Sequence, residues 1–149
     1  MPSHTNNNRP TFAVIGAGMS GVLAGIKLKE AGYDFKIFEK ADRGGGTWRE
    51  NTYPGIACDV PSHIYSYSFE LNPDWTEFTS PGSEIQDYFE GVAKRYGVEP
   101  FIRFNEAVVR CTWMDNQWEI ETEKGHIERF SWVIAATGIL HHPKLPDIE

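Results

Sequence analysis

A glycine-rich segment, Gly16 to Gly21 (GAGMSG), constrains the fold of this 149-residue chain more than any other feature. An apolar run at 12–15 precedes it, and an amphipathic helical pattern follows it. A second apolar run, at 33–38, then ends at Glu39. This order of strand, tight turn, helix, strand and acidic residue is typical of a dinucleotide-binding βαβ unit. The sequence therefore predicts a Rossmann-like α/β fold built around a parallel sheet.

Each position of this segment has a physical reason. Gly16 allows a sharp turn out of the strand, Gly18 lets a pyrophosphate approach the backbone, and Gly21 lets the helix pack closely on the sheet. The N–H groups at the start of the helix, with their partial positive charge, favour a phosphate. Glu39 lies 18 residues beyond Gly21, where its carboxylate is expected to bind a ribose. It would repel a 2′-phosphate, which excludes NADP from this motif and leaves FAD or NAD.

The composition indicates a soluble globular protein. Hydrophobic residues make up 40% of the chain and charged residues 23%, as in a folded domain. The net charge of −7 argues against a nucleic-acid or anionic-membrane partner, and no apolar run approaches the roughly 18 residues that span a bilayer. Residues 1–10 are polar and read as a disordered lead-in to a domain at 11–149. Cys58 and Cys111 lack metal-ligand spacing, which favours packed thiols in a reducing cytoplasm.

Hydrophobic periodicity and turn residues predict the remaining elements. Gly32 and Gly97 are expected to end the two long helices, and Ser83 with Gln86 has the spacing of a capping box. The predicted elements are strands at 11–15 and 34–39, helices at 19–31 and 83–96, short strands at 64–69 and 101–104, meander strands at 107–114, 117–123 and 126–130, and a buried strand at 132–136. This order predicts a central parallel sheet with helices plus a small antiparallel three-stranded β-meander.

Residues 42–82 lack regular periodicity but are rich in aromatic side chains, which are rare in disordered segments. These side chains are Trp48, Tyr53, Tyr65, Tyr67, Phe69 and Trp75. They must pack on something, and a bound cofactor is a candidate. Further along, Gly138 follows the last predicted strand, where the backbone can pass close to a ligand. The segment at 139–149 carries two prolines and reads as an exit linker.

The histidines do not predict a metal site. His63, His126, His141 and His142 have no carboxylate or cysteine partner at a recognisable spacing. His4 lies in the polar lead-in. We therefore expect no bound metal.

The segments at 45–48 (GGTW), 51–55 (NTYPG) and 58–62 (CDVPS) are more specific than a general Rossmann turn. Together with Ala135-Ala136-Thr137-Gly138 and the prolines that follow, the chain resembles the flavin-dependent class B monooxygenases, most closely the Baeyer–Villiger type. The resemblance runs from about residue 11 to the end. It implies that this chain is the N-terminal FAD-binding part of a longer enzyme, in which the NADP domain and a C-terminal FAD segment are further parts.

The resemblance assigns roles to matching residues. It implies that Gly16, Gly18 and Gly21 hold the FAD pyrophosphate with Ser20 as an added donor, and that Glu39 takes the adenosine ribose with Lys40 beside it. It also implies that Gly46, Thr47 and Trp48 follow the pyrophosphate and ribityl chain, that Tyr65 lines the cofactor and that the backbone near Val108 meets the adenine. Asp59 is the implied catalytic residue, because the corresponding acid of the family lies near the flavin and orients a catalytic arginine.

The implied activity is an NADPH-dependent monooxygenation. In the family NADPH reduces FAD, O2 forms a C4a-peroxyflavin, and this peroxide oxidises a ketone or a heteroatom of a small molecule. We expect the 149 residues alone to be incomplete for this cycle. Two alternatives remain open on the residues themselves. One is a flavin- or NAD-linked reductase of the same two-dinucleotide superfamily, which would usually carry a redox Cys-x-x-Cys. The other is a non-catalytic FAD-binding fragment.

Overall fold

The fold is that of a computed structural model, which describes residues 9–139, 141 and 144–148. Its strands are β1 (Thr11–Ile15), β2 (Asp34–Phe38), β3 (Ile102–Arg103), β4 (Val108–Met114), β5 (Gln117–Thr122), β6 (Ile127–Phe130) and β7 (Trp132–Ala135). Its helices are α1 (Met19–Glu30), α2 (Thr47–Glu50) and α3 (Gly82–Arg95), with 3-10 turns at Ser62–Ile64 and Glu99–Phe101. Of the predicted lead-in, residues 1–8 lie outside the described residues, and the Arg9 guanidinium donates to the Gly32 carbonyl at 2.8 Å.

A four-stranded parallel sheet in the order β3-β2-β1-β7 forms the centre of the fold. Val14 of β1 pairs with Ile37 of β2 on one side and with Ile134 of β7 on the other. β1 is therefore a central strand, and its carboxyl end meets the ends of its neighbours at one edge. The predicted fold class and the βαβ unit are confirmed.

The long helices α1 and α3 cover one face of this sheet. α1 lies so close that a Cβ at Gly25 would come within 2.8 Å of the Ile37 side chain, which is why the helix carries glycine there. α1 ends before Gly32, whose φ of +72° suits the left-handed conformation predicted for it. α3 presents one apolar stripe, and Ile85, Phe89 and Val92 are fully buried in the core shared with α1 and the sheet.

The predicted meander packs against the other face of the parallel sheet. β4, β5 and β6 pair antiparallel in that order, and the β4–β5 turn has positive φ at both Asp115 and Asn116, as a tight hairpin requires. A second core cluster of Ala13, Phe38, Ile120 and Phe130 joins the two sheets. The meander thereby brings the start of β4 to the carboxyl end of β2.

Two predicted local features are wrong. The segment at 64–69 is not a strand, since a 3-10 turn ends at Ile64 and the only pairing described there is an isolated bridge from Tyr67 to Glu70. Ser83 does not cap α3, because the helix begins at Gly82 after Pro81 without a side-chain cap, and the Gln86 amide bonds to Glu90 instead.

Two predictions about burial are also wrong. β7 is not a buried strand, because among the described strands it has a neighbour on one side only, and Trp132 is 58% exposed. Cys58 is a buried thiol as predicted, but Cys111 is exposed on β4. Both errors have one cause, since apolar composition does not reveal which strands lie at a sheet edge.

Candidate nucleotide-binding site

The glycine-rich turn lies at the carboxyl edge of the parallel sheet. Gly16 leaves β1 with φ of +100°, and its N–H donates to the Phe38 carbonyl at 2.8 Å. A Cβ at Gly16 would stand 2.5 Å from the carbonyl oxygen of Ala136, beyond the end of β7. Glycine is therefore required at position 16 for two reasons, the positive φ and the nearby Ala136 carbonyl.

The other two glycines of the turn differ in what demands them. A Cβ at Gly21 would stand 1.9 Å from the Gly16 carbonyl oxygen, so packing of the protein itself excludes a side chain there. Gly18 has φ of −76°, which any residue adopts, and a Cβ there would meet only Gly46 Cα, at an ordinary 3.7 Å. Among the described residues, none requires glycine at position 18, and the missing side chain leaves the backbone open to a ligand.

The N-terminus of α1 has the features of an anion-binding site. Gly18 occupies the N-cap and supplies no side-chain cap, and the first turn of the helix contains no acidic residue. Met19 and Ser20 at the first two helical positions are exposed. Backbone donors at such an end are ordinarily satisfied by a cap, by water or by a ligand, and the helix dipole favours negative charge. The arrangement fits a diphosphate.

Glu39 turns its carboxylate into this turn. Its side chain is 6% exposed, and Oε2 accepts from the N–H of Ala17 at 2.7 Å while Oε1 accepts from the N–H of Ala41 at 2.9 Å. An ionised carboxylate has about four acceptor sites, so it can accept further hydrogen bonds from ribose hydroxyls. Glu39 therefore lies in the crevice beside the glycine turn, at the carboxyl end of β2, and its binding of a ribose stays a prediction.

A second glycine loop lies directly against the first. The N–H of Gly45 donates to the Ala17 carbonyl at 3.2 Å, and a Cβ at Gly46 would stand 3.3 Å from Gly18 Cα. Gly46 has φ of +55°, and α2 starts immediately after it at the exposed Thr47. Two backbone segments without side chains thus lie in contact with each other beside the start of α1.

Trp48 and Tyr65 form an aromatic pair beside the start of α1. The Trp48 indole N–H donates to the Tyr65 hydroxyl at 3.1 Å, and the two rings meet edge to face at 5.4 Å. The Tyr65 hydroxyl lies 3.8 Å from the Met19 sulfur. Burial raises the pKa of Tyr65, and the nearby Cys58 and Asp59 raise it further. The Tyr65 hydroxyl is therefore a neutral donor and acceptor at physiological pH.

The aromatic side chains of 42–82 do not need a cofactor to cover them. Tyr67 and Trp75 are buried, and their rings meet the aromatic residues of α3 edge to face or tilted; Tyr65 and Phe69 pack against the same cluster. Tyr53, in contrast, is 61% exposed. The expectation that these residues pack is confirmed for most of them, but their main partner is α3.

Val108 and Gly138 approach the turn through their neighbours. The N–H of Glu106 donates to the Glu39 carbonyl at 2.9 Å, which brings the start of β4, with Val108, beside the end of β2. Gly138, with φ of +79°, follows the Ala136 carbonyl that contacts Gly16. Asp59 is exposed, and its described connection to these residues is the electrostatic effect on Tyr65.

The structure contains an ion cluster at this edge, formed by Lys40, Glu50 and His141, that the sequence did not predict. Lys40 Nζ lies 3.0 Å from Glu50 Oε1, and His141 Nδ1 lies 2.9 Å from Glu50 Oε2. His126 likewise contacts Glu106, at 2.8 Å, so two histidines have carboxylate partners that sequence spacing did not indicate. The partners lie on different elements, and only the fold brings them together.

The described residues offer neither a membrane span nor a metal cluster. None of the helices in that part of the chain is long and apolar enough to cross a membrane. Over the same residues, histidine, cysteine, aspartate and glutamate side chains form no group of three or more that could hold a metal ion.

Comparisons with known proteins agree with this geometry. Residues 14–80 match the family model of an NAD(P)-binding Rossmann-like domain. An uncharacterised monooxygenase of Mycobacterium tuberculosis is 53% identical over 140 residues, which cover 93% of this chain and 28% of the relative. A Baeyer–Villiger monooxygenase of Streptomyces coelicolor is 48% identical over 139 residues, covering 91% of this chain and 27% of the relative. The chain thus spans about 28% of the length of the relatives it matches.

Solved structures give the same result. Cyclohexanone monooxygenase from Rhodococcus sp. Phi1, bound to NADP+, aligns with a TM-score of 0.85 and 36% identity over 93% of this chain and 28% of that protein. An oxidised steroid monooxygenase bound to NADP aligns with a TM-score of 0.84 and 34% identity over 91% of this chain and 27% of the other.

Proposed function

We propose that this chain, which is related to the N-terminal part of the Baeyer–Villiger monooxygenases, is the FAD-binding part of an NADPH-dependent flavoprotein monooxygenase. Its reaction is the oxygenation of a ketone or heteroatom of a small molecule with O2. Relatives whose names specify FAD binding are 40% and 33% identical to this chain. We place the FAD-binding domain at residues 11–149 and the protein in the cytoplasm, which fits its two free cysteines.

The glycine turn and the start of α1 are proposed to hold the diphosphate of FAD. Gly16 and Gly21 shape the turn, Gly18 leaves room for the phosphates, and the N–H groups with the Ser20 hydroxyl donate to them. Glu39 binds the hydroxyls of the adenosine ribose. When bound, FAD supplies the redox chemistry, taking electrons from NADPH and delivering them to O2.

The remaining proposed contacts follow the cofactor in both directions from the diphosphate. Gly46, Thr47 and Trp48 line its path toward the flavin, with Tyr65 behind Trp48. Towards the adenine, the backbone at Val108 and the side chain of Lys40 flank the ribose site. Two further residues complete the proposed site. Gly138 passes the diphosphate with its backbone, and Asp59 is proposed as the acid nearest the flavin that orients a catalytic arginine.

The observation that carries this proposal is Gly18. Its φ of −76° and the ordinary 3.7 Å distance that a Cβ at this position would have to Gly46 Cα show no need for glycine within the described part of the fold. Its position on one of two bare backbone segments that lie in contact, at an uncapped helix N-terminus, supports a role in admitting phosphate. A methyl group there would occupy the space that the diphosphate needs.

The test is a titration of the purified chain with FAD, followed by quenching of flavin fluorescence. We expect saturable binding of FAD by the wild type, and a loss of at least about 100-fold in Gly18→Ala, which corresponds to roughly 3 kcal/mol. Gly91→Ala is the matched control, because Gly91 lies within α3 and a Cβ there would meet only the flexible end of Arg95. It should bind FAD like the wild type.

Other outcomes would contradict the proposal. Absence of FAD binding by the folded wild type would overturn it, and binding of NAD in place of FAD would favour a nicotinamide-linked reductase. Equal FAD affinity of Gly18→Ala and the wild type would overturn the assignment of the diphosphate to this turn.

A further inference from the structure

We propose that Glu50 is a positioning residue that fixes the Lys40 ammonium group at the rim of the nucleotide crevice. The inference rests on the proposed function, since it assigns Glu50 a part in FAD affinity. Glu50 lies on α2, outside the glycine segments and outside the set of proposed cofactor ligands. Its role follows from four side-chain contacts and from the elements that they join.

Glu50 is the centre of this cluster. Its Oε1 lies 3.0 Å from Lys40 Nζ and 3.0 Å from the terminal guanidinium nitrogen of Arg49. Its Oε2 lies 2.9 Å from His141 Nδ1, and His141 Nε2 lies 2.7 Å from Lys40 Nζ. The Glu50 side chain is 25% exposed and that of Lys40 48%, so the carboxylate is the sheltered member that the flexible lysine contacts.

The cluster joins three segments that each adjoin the glycine turn. Lys40 follows Glu39, whose carboxylate accepts from the Ala17 N–H. Glu50 ends the single-turn helix that starts beside Gly46, so its backbone lies within about 6 Å along the helix axis of the Gly18–Gly46 contact. His141 follows Gly138, beyond the strand end that contacts Gly16. The ion cluster therefore lies at the rim of the proposed diphosphate site.

The charges of the cluster explain why position matters. Lys40 and Arg49 carry one positive charge each and Glu50 one negative charge, in a chain whose net charge is −7. A free lysine side chain would sample many rotamers, and ordering it on binding costs free energy. A lysine that Glu50 already holds at the rim presents its charge to an anionic ligand without that cost. Its own attraction to Glu50 is modest, as for any half-exposed ion pair.

Positioning and simple electrostatics predict opposite effects, which makes the proposal testable. Glu50→Gln removes a negative charge beside an anionic ligand, so long-range electrostatics alone would strengthen FAD binding. Loss of the lysine position would weaken it. We expect the Kd for FAD of the purified chain to rise about three- to ten-fold in Glu50→Gln, as for the loss of one oriented charged contact. An unchanged or lower Kd would overturn the proposal.

A double-mutant cycle with Lys40→Met tests whether Glu50 acts through Lys40. Lys40→Met alone should weaken FAD binding by a similar factor, and Glu50→Gln added to it should change Kd by less than about two-fold. Equal effects of Glu50→Gln in both backgrounds would show a structural role without Lys40 and overturn the proposal. Glu30→Gln is the matched control, since Glu30 pairs with Lys27 at 2.8 Å on the exposed C-terminal part of α1 and should leave Kd unchanged.

The same titrations separate this inference from the proposed function. If the wild type binds FAD and Glu50→Gln binds equally well, only the role of Glu50 is overturned. If the folded wild type does not bind FAD, the proposed function is overturned and the role of Glu50 with it. Far-UV circular dichroism of each variant before titration shows whether it is folded. If Glu50→Gln does not fold, the Lys40→Met titration decides, because an FAD affinity equal to that of the wild type would overturn the proposal.

Discussion

The Glu39 carboxylate accepts a hydrogen bond from the N–H of Ala17, with 2.7 Å between Oε2 and N. These residues lie 22 positions apart, one after β2 and one within the glycine turn. Because Glu39 is 6% exposed, this bond fixes the turn against the end of the neighbouring strand. The acid thus shapes the crevice as well as offering the oxygens that we propose for the ribose.

Glu39→Gln should therefore change both stability and binding. The glutamine amide keeps one acceptor oxygen but has an NH2 donor in place of the other. That donor would face the N–H of Ala17 or of Ala41, so one of the two hydrogen bonds would be lost. We expect a loss of about 1–2 kcal/mol in the free energy of unfolding, measured by urea denaturation. FAD affinity should fall as well. Wild-type stability in this variant would contradict the buried pairing of Glu39 with Ala17.

Gly18 and Gly21 should respond differently to substitution by alanine. Gly21→Ala forces a Cβ to 1.9 Å from a backbone oxygen, which only movement of α1 can relieve, so we expect a loss of about 2–3 kcal/mol in stability. Gly18→Ala should change stability by less than about 0.5 kcal/mol. Thermal denaturation of both variants checks this, and equal losses would mean that Gly18 is a structural glycine after all.

Tyr67 should make the fold sensitive to alkali. Burial raises the pKa of its hydroxyl above the ordinary value of 10.0, and the neighbouring Tyr88 raises it further. The stabilising effect is complete below pH 10 and is lost as pH rises through the folded pKa, because the unfolded chain releases this proton first. Tyr67→Phe should therefore flatten the decline of stability above pH 10. Tyr53→Phe, which alters an exposed ring, is the control that should leave the decline unchanged.

Glu128 should contribute stability that acid removes. Burial alone would raise its pKa, but its contacts with Lys36 and Arg103 dominate and hold the pKa below the ordinary 4.5. Its contribution is present above about pH 4.5 and is lost as pH falls through the folded pKa. We expect Glu128→Gln to lower stability by about 1 kcal/mol at neutral pH, since the pair is part-exposed.

The prediction for Glu128 is checked by measuring the free energy of unfolding as a function of pH below neutrality. The difference in free energy of unfolding between the variant and the wild type should shrink in acid. Glu121→Gln, in a surface pair with Arg110, should show a smaller effect. If the difference in free energy of unfolding between Glu128→Gln and the wild type did not depend on pH, the contacts of Glu128 on β6 with Lys36 and Arg103 on the parallel sheet would not stabilise the fold.

Much of the fold follows from local signals in the sequence. β1, the end of α1 at Gly32 and the Asp115-Asn116 turn were predictable because glycine, positive φ and alternation of apolar residues act within a few neighbouring positions. The failures have other causes. The exposure of Trp132 and Cys111 depends on which strands lie at an edge, and the start of α3 depends on Pro81 rather than on the spacing of Ser83 and Gln86.

Some features of the candidate site could likewise be predicted from the sequence, and others could not. The placement of Gly16, Gly18, Gly21 and Glu39 at one edge of the sheet was predictable, because one βαβ unit carries the whole signal. The link from Lys40 to Glu50 and His141 was not, because α2 and the segment after β7 reach Lys40 only in the folded chain. Long-range ion pairs of this kind leave no periodicity or fixed spacing in a single sequence.

The most direct test of the central claim is a titration of the 15N-labelled chain with FAD, followed by two-dimensional 15N–1H NMR. We predict that the largest shifts fall on the backbone N–H groups of Gly18 to Gly21 and of Gly45 to Thr47, which line the proposed diphosphate path. Saturation should occur at one FAD per chain. Shifts confined to other residues, or a spectrum that FAD leaves unchanged, would contradict the claim that this turn holds the flavin nucleotide.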